Sequence, residues 1–312
     1  MNYKYLFGPV PSRRLGISLG VDLVPLKVCS LDCIYCECGK TTTLTLERKE
    51  YVPFKDVVTE LDDYLKKSPE LDYITFSGSG EPTLHSKIGE IVNHIKKNYS
   101  SYKIALLTNS TLLGNKTLQD ELKEIDLIIP SLDAVTQETF DKINRPISSL
   151  KIDKYIEDII DFSNNYKGKI WVEIFIVPGI NNSKDELNEF KKILTKINPE
   201  RIQLNSIDRP GTEEWIKKSK EDELIKIKDS LAPLPVEIVA KFNSATKTYF
   251  EHENMQEKIL SIIKRRPCTI DDLVNISGAN ILEVKKNVNL LIDSGKIKTS
   301  HQNRGEFFIV KK

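Results

Sequence analysis

The chain has 312 residues, 29% of them charged and 39% hydrophobic, and 46 Lys and Arg against 45 Asp and Glu leave a net charge of +1. That is an ordinary soluble globular balance, and near neutrality it neither argues for nor excludes a nucleic-acid partner. No apolar run approaches membrane-spanning length and Met1 to Tyr5 opens no signal-peptide core, so the expectation is a cytoplasmic protein without a membrane partner. The five cysteines are odd in number and clustered, which points to reduced thiols and not to a disulfide framework.

Residues Phe7 to Asp22 read as a rigid loop bracketed by Pro9 and Pro11, then Arg13 and Arg14, then a strand alternating Leu15, Ile17, Leu19 and Val21. Glycines at 16 and 20 let a backbone or ligand approach that strand. Paired arginines on a rigid loop suit phosphate or carboxylate recognition. They equally suit internal bridging to carbonyls and carboxylates.

Cys29, Cys33 and Cys36 follow in C-x3-C-x2-C spacing, close enough to reach one centre from one loop. Thiolates favour zinc or iron–sulfur centres. A structural zinc needs a fourth ligand, for which only Cys38 and the four histidines are candidates, none of them in a second ligand pair. Three cysteines with one vacancy suit a 4Fe–4S cluster whose fourth iron is open.

After the loop, strands and helices alternate. Val57, Leu61, Tyr64 and Leu65 make one helical face, Tyr73 to Phe76 a strand, and Ile88, Ile91, Val92 and Ile95 the next helix. Lys103 to Leu107, Asp126 to Ile129, Ile170 to Val177, Arg201 to Leu204 and Val236 to Val239 are further strands. Helices fall at Ile152 to Ile159, Leu187 to Leu194 and Glu213 to Leu231. The pattern predicts right-handed βαβ units around a parallel sheet, near six in number and short of a full eight-fold barrel. Ligands then belong at the C-terminal strand ends. There lie Ser77-Gly78-Ser79-Gly80-Glu81-Pro82-Thr83, Asn109, Ser131 and Asp133, and Val177-Pro178-Gly179. Glu173 is read as either an inward barrel residue or an outward partner of a lysine.

The cysteine loop, with Tyr35 before its last cysteine, resembles the signature of the radical S-adenosylmethionine (SAM) superfamily. With Phe7 to Pro25, the chain resembles a branch grouped with wyosine-tRNA synthase-like Fe–S oxidoreductases. The resemblance implies a partial (β/α)6 barrel over residues 1–242. It also implies one 4Fe–4S cluster on Cys29, Cys33 and Cys36, whose open iron chelates SAM. Gly78, Ser79, Gly80, Glu81 and Pro82 resemble the superfamily's Gly-Gly-Glu segment, which holds the SAM amino group, although Ser79 interrupts the glycine pair. By position Asn109, Ser131 and Asp133 match residues that bond the SAM ribose and carboxylate, Val177 matches an adenine-stacking segment, and Tyr35 belongs to the cofactor set. The implied chemistry is reductive cleavage of SAM to methionine and a 5′-deoxyadenosyl radical, with flavodoxin or ferredoxin as electron donor. Wyosine synthases carry a second cluster, for which Cys38 and Cys268 are too few, so a single cluster is expected and Cys38 is read as pointing past it.

Residues 243–254 read as a linker. Residues 255–312 then show three short apolar-striped helices and a hairpin around Asn303-Arg304-Gly305, resembling a winged helix-turn-helix. Residues 252–312 hold eleven Lys and Arg and seven Asp and Glu, so 11 − 7 gives +4. Lys285, Lys286 and Asn289 lie between Ile281, Val284, Val288 and Leu291 and are expected to face outward, with Arg304 and His301 on the hairpin, as nucleic-acid contacts. Arg13, Arg14, Asn205 and Arg209 are the substrate-side candidates. Three functions follow: an enzyme acting on a tRNA or other RNA base, an activase or peptide-modifying enzyme with a protein partner, or an iron–sulfur redox sensor that binds DNA.

Overall fold

A computed structural model describes residues 3–239, 255–302 and 305–311. The chain opens with β1 (Leu6–Ser12) and β2 (Gly16–Val21), an antiparallel pair. Two short strands, β3 (Val28–Cys29) and β4 (Thr43–Leu44), then pair across the base of the cysteine loop. There follow α1 (Phe54–Leu65), β5 (Tyr73–Phe76), α2 (Ile88–Asn98), β6 (Ile104–Thr108) and α3 (Lys116–Glu121). Next come β7 (Leu127–Pro130), α4 (Gln137–Ile143), α5 (Ile152–Asn165), β8 (Lys169–Phe175) and α6 (Lys184–Ile197). The series ends with β9 (Arg201–Asn205), α7 (Glu221–Ser230) and β10 (Val236–Ile238).

The main sheet runs β1-β2-β5-β6-β7-β8-β9-β10, and every pairing from β2 onward is parallel. Seven parallel strands, matching the seven the pattern predicts, with helices after the first six, form a sheet open between β1 and β10. Alternation along each strand divides its two faces. Ile104 and Leu106 of β6 join the main apolar cluster beneath the helices, while Ala105 and Leu107 point the other way. That inner face collects Leu15, Ala105, Leu127, Ile129 and Trp171, so the β1–β2 turn carries Leu15 across to plug the barrel interior.

Three expectations change. The Pro9 and Pro11 stretch is a strand and not a loop; β1 stands at the sheet edge, where prolines withdraw no interior ladder bond. The helix expected from Glu213 begins only at Glu221, because Ile216 drops into a cluster with Ile34 and Phe175 and the Ser219 amide donates to Ser206 Oγ at 2.8 Å. Helices α3 and α4 were not expected; both are short and begin on side-chain caps, Asn115 and Thr136.

The C-terminal residues form α8 (Met255–Arg265), α9 (Ile270–Ser277), α10 (Ile281–Asp293) and an antiparallel pair, β11 (Ile297–Gln302) and β12 (Gly305–Val310). Their own apolar cluster joins Ile259, Ile263, Cys268, Leu273, Val284, Val288, Leu291 and Phe308. Thr269 and Asp272 make a reciprocal capping box at the start of α9. Val10 of β1 packs on this cluster, so the edge strand of the barrel is also the seat of the C-terminal unit. The expected linker at 243–254 and the hairpin residues Asn303 and Arg304 lie outside the described residues.

Candidate active site

The loop between β2 and α1 leaves the C-terminal end of its strand and is tied down along its length. Asp32 and Ile34 amides donate to the Asn144 and Ile143 carbonyls at 2.9 Å each, and the Thr41 amide donates to Asp32 Oδ1 at 2.6 Å. Ile34 is fully buried. The three thiols therefore sit on a fixed frame, inside the mouth of the barrel.

Each sulfur is met by a nitrogen donor. Asn109 Nδ2 lies 3.4 Å from Cys29 Sγ, Asn144 Nδ2 3.4 Å from Cys33 Sγ, and Lys27 Nζ 3.0 Å from Cys36 Sγ. Burial, then Glu81, pushes the Cys29 thiol up to about 12, and burial followed by Asp133 raises Cys33. Cys36 is drawn down to about 5 by the Cys38 thiol and the Lys27 ammonium, against the effect of burial. Among the described residues, no three His, Cys, Asp or Glu converge on a single-ion position. A cluster makes a different demand, because each thiolate takes its own iron. Three partly buried thiols on one loop, each facing an N–H donor able to stabilise bound sulfur, fit a 4Fe–4S cluster. Asn144 Oδ1 is buried without a donor among the described residues, which suits an ammonium or hydroxyl of a bound ligand.

The Gly78 to Pro82 segment lies directly against this loop. The Lys27 amide donates to the Ser79 carbonyl at 2.8 Å and the Glu81 amide to the Val28 carbonyl at 3.1 Å. Gly78 adopts φ +122°, and a Cβ on Gly80 would stand 2.0 Å from the Val28 carbonyl oxygen. The close approach expected of these glycines is thus made, at Gly80, by the protein's own cysteine loop. Glu81 carries a different load from the one its sequence position implied. Its carboxylate accepts from the Thr83 amide and hydroxyl, the Thr108 hydroxyl and the Asn109 amide, at 2.7–3.1 Å. Three of these donors meet Oε1 and the Asn109 amide meets Oε2, so the carboxylate braces the ends of β5 and β6.

Asp133 plays the same part at the end of β7. It accepts from Tyr35 Oη, from Asn144 Nδ2 at 2.9 Å and from the Phe175 amide at 2.8 Å, and burial raises its carboxyl to about 6. The Tyr35 ring stacks on Phe175 with centroids 3.8 Å apart. Ser131 accepts through its carbonyl from Ser110 and Tyr155, and the Val177 amide is held by Asn181 Oδ1 at 2.8 Å. Hydrogen bonds thus run from Cys29 through Asn109 to Glu81 and from Cys33 through Asn144 and Asp133 to Tyr35, while Cys36 meets Lys27.

The substrate-side candidates divide. Glu173 points inward, paired with Arg14 and with Asn205 Nδ2 at 2.8 Å; these outweigh burial and hold its carboxyl below the ordinary range. Arg209 is corrected: it is 2% exposed, lies 3.8 Å from Glu37 and 3.6 Å from Asp272, and clamps the cysteine loop to α9. Arg13 is half-buried among Glu37, Arg209, Asp208 and Arg14, with no hydrogen bond or ion pair among the described residues. Cys38 sits beside Cys36, its Sγ 2.9 Å from the Arg265 carbonyl. Sequence reasoning missed Lys27, Asn144, Asp22 and Arg265. Lys27 alone left a signal, a cation two residues before the first cysteine; its backbone takes φ +61° and its side chain is 4% exposed.

A parallel open barrel with a three-thiol loop at its C-terminal mouth defines an iron–sulfur enzyme of the partial-barrel class. The chain belongs to the radical SAM superfamily, whose family model matches residues 23–192. It is 32% identical over 292 residues to a UPF0026 protein of Methanocaldococcus jannaschii, covering 91% of this chain and 90% of that one. A UPF0026 protein of Helicobacter pylori is 32% identical over 309 residues, 98% of each. A Brachyspira hyodysenteriae protein named GTPase Obg is 34% identical over 296 residues; the match covers 95% of this chain but 43% of that protein's length. Among solved structures, a radical SAM methyltransferase from Sphaerobacter thermophilus shares the fold at TM-score 0.57 and 14% identity, over 71% of this chain and 65% of that one. SuiB of Streptococcus suis, solved with S-adenosylmethionine, does so at TM-score 0.53 and 15% identity, over 76% and 54%. The protein is an enzyme whose family uses a 4Fe–4S cluster and SAM. No helix among the described residues is long and apolar enough to cross a membrane.

Proposed function

We propose that this enzyme modifies a base of tRNA or another RNA, held by the C-terminal unit acting as a winged helix-turn-helix. When bound, the cluster and SAM supply a carbon-centred radical by one-electron reduction, with flavodoxin or ferredoxin as donor. The protein's residues hold the loop still, donate to its sulfurs from Lys27, Asn109 and Asn144, and keep water out with Ile34, Phe175 and Val177.

The observation that carries the RNA reading is the outer face of α10. Val284, Val288 and Leu291 are buried, while Lys285, Lys286 and Asn289 are exposed, and neither lysine has an ion-pair partner among the described residues. Such a face suits phosphates. Arg304, the wing residue of the same reading, lies outside the described residues. A protein substrate is the second reading, favoured by Leu282 at 73% exposure and Leu290 at 44% on the same helix.

Full-length protein should bind tRNA with steep salt dependence, and Lys285→Ala/Lys286→Ala should lower the log–log slope by roughly 0.7–0.9 per lost phosphate contact. A strain lacking the protein should lose a modified nucleoside. An unchanged nucleoside profile together with salt-insensitive or absent tRNA binding contradicts the proposal and favours the protein substrate.

A further inference from the structure

Asp22, at the end of β2, is 7% exposed and receives three donors. Two come from Ser79, its amide at 2.9 Å and its hydroxyl at 2.7 Å. The third is Arg265 Nε at 3.1 Å, from the last turn of α8 in the C-terminal unit. Arg265 is itself held on several sides. Its guanidinium lies 4.8 Å from the Phe7 ring, Nη2 donates to the Lys4 carbonyl at 3.4 Å, and Nη1 donates to the Ser261 carbonyl at 3.1 Å. Its own carbonyl lies 2.9 Å from Cys38 Sγ, which is 3.6 Å from the Gly78 carbonyl. One residue of the C-terminal unit thus reaches both flanks of the Gly78–Ser79 turn.

We propose that Arg265 is a positioning residue for SAM: through Asp22 it sets Ser79 and the backbone on either side of it, so that the C-terminal unit completes the cofactor site. This rests on the reading that the Gly78 to Pro82 segment contacts SAM. The arrangement accounts for the serine that interrupts the glycine pair. A glycine there would keep the amide bond to Asp22 and lose the hydroxyl, leaving the carboxylate with one fewer donor. A buried carboxylate needs its acceptor positions filled, and charge-assisted bonds from an arginine are among the strongest available. Asp22 also limits its neighbour, since a Cβ on Gly78 would stand 2.5 Å from Asp22 Oδ1. The carboxylate, the turn and the arginine therefore move together or not at all.

The test uses full-length protein reconstituted anaerobically, with SAM affinity read from the SAM-induced change in the spectrum of the reduced cluster and iron counted on the same samples. Arg265→Met should bind SAM roughly tenfold more weakly at unchanged iron content. Arg265→Lys should recover part of the loss. Asp22→Asn and Arg265→Met should be non-additive, the double variant being little worse than the weaker single, because both break one chain of contacts. Gly78→Ala, which acts on the turn directly, separates the two readings. Weak SAM binding in Gly78→Ala with parent-like binding in Arg265→Met overturns the coupling and leaves the segment's role intact. Parent-like binding in both overturns the segment reading and the coupling with it. A loss in Arg265→Met that tracks loss of iron also overturns the proposal, placing the residue's effect on the cysteine loop through Cys38.

Discussion

Glu81 shows how a motif position and a structural role separate at the scale of one residue. Its carboxylate is 2% exposed, and burial raises its pKa, yet it accepts four hydrogen bonds from Thr83, Thr108 and Asn109. The Asn109 amide hangs from Glu81, and the Asn109 side chain in turn donates to Cys29 Sγ and Ser30 Oγ. Removing the carboxylate strands several buried donors at once, and each costs about 1–3 kcal/mol. Glu81→Ala should therefore lower stability by roughly 4 kcal/mol or more in denaturant unfolding and reduce iron loading through the displaced Asn109. Parent-like stability and iron content would show that the brace is dispensable. Cys29, Cys33 and Cys36 could be picked out by their spacing, and Asn109 and Asp133 by standing just after a strand, both local patterns. Asn144 and Asp22 were not, because each acts through a partner far away in sequence: Cys33 from 111 positions off, Arg265 from 243.

Among elements, those with strong periodicity were readable and those fixed by long-range contact were not. Helices α1, α2, α5 and α6 each carry an apolar stripe that meets the sheet, and the sequence shows it directly. Residues 212–220 carry helical-looking spacing, yet Ile216 is claimed by Ile34 and Phe175 across the mouth of the barrel. The same long-range logic governs β3, whose Val28 carbonyl accepts from Glu81 and crowds Gly80. Backbone gives way far less readily than the tip of a flexible side chain. Gly80→Ala should force β3 away from the turn, with iron content well below that of the parent and a lower unfolding temperature. An alanine variant that loads iron normally and melts with the parent would mean that the cysteine loop tolerates that displacement.

At the scale of the whole molecule, the chain is a barrel with its site at one rim and a second apolar cluster seated on the same rim. Val10 packs into that cluster, Arg209 lies between Glu37 of the cysteine loop and Asp272 of α9, and Arg265 reaches Asp22. The three-helix unit was legible from its stripes and its capping residues. Its seat was not, since the contacts that make it are single residues scattered from Val10 to Asp272. One cluster, held by Cys29, Cys33 and Cys36 alone, is the expected metal centre. The most direct measurement is iron and acid-labile sulfide per chain after anaerobic reconstitution, for the parent and for Cys33→Ala. About four irons in the parent, and loss of the cluster in the variant, is the expected result. Roughly eight irons, or a cluster that survives Cys33→Ala, would contradict it.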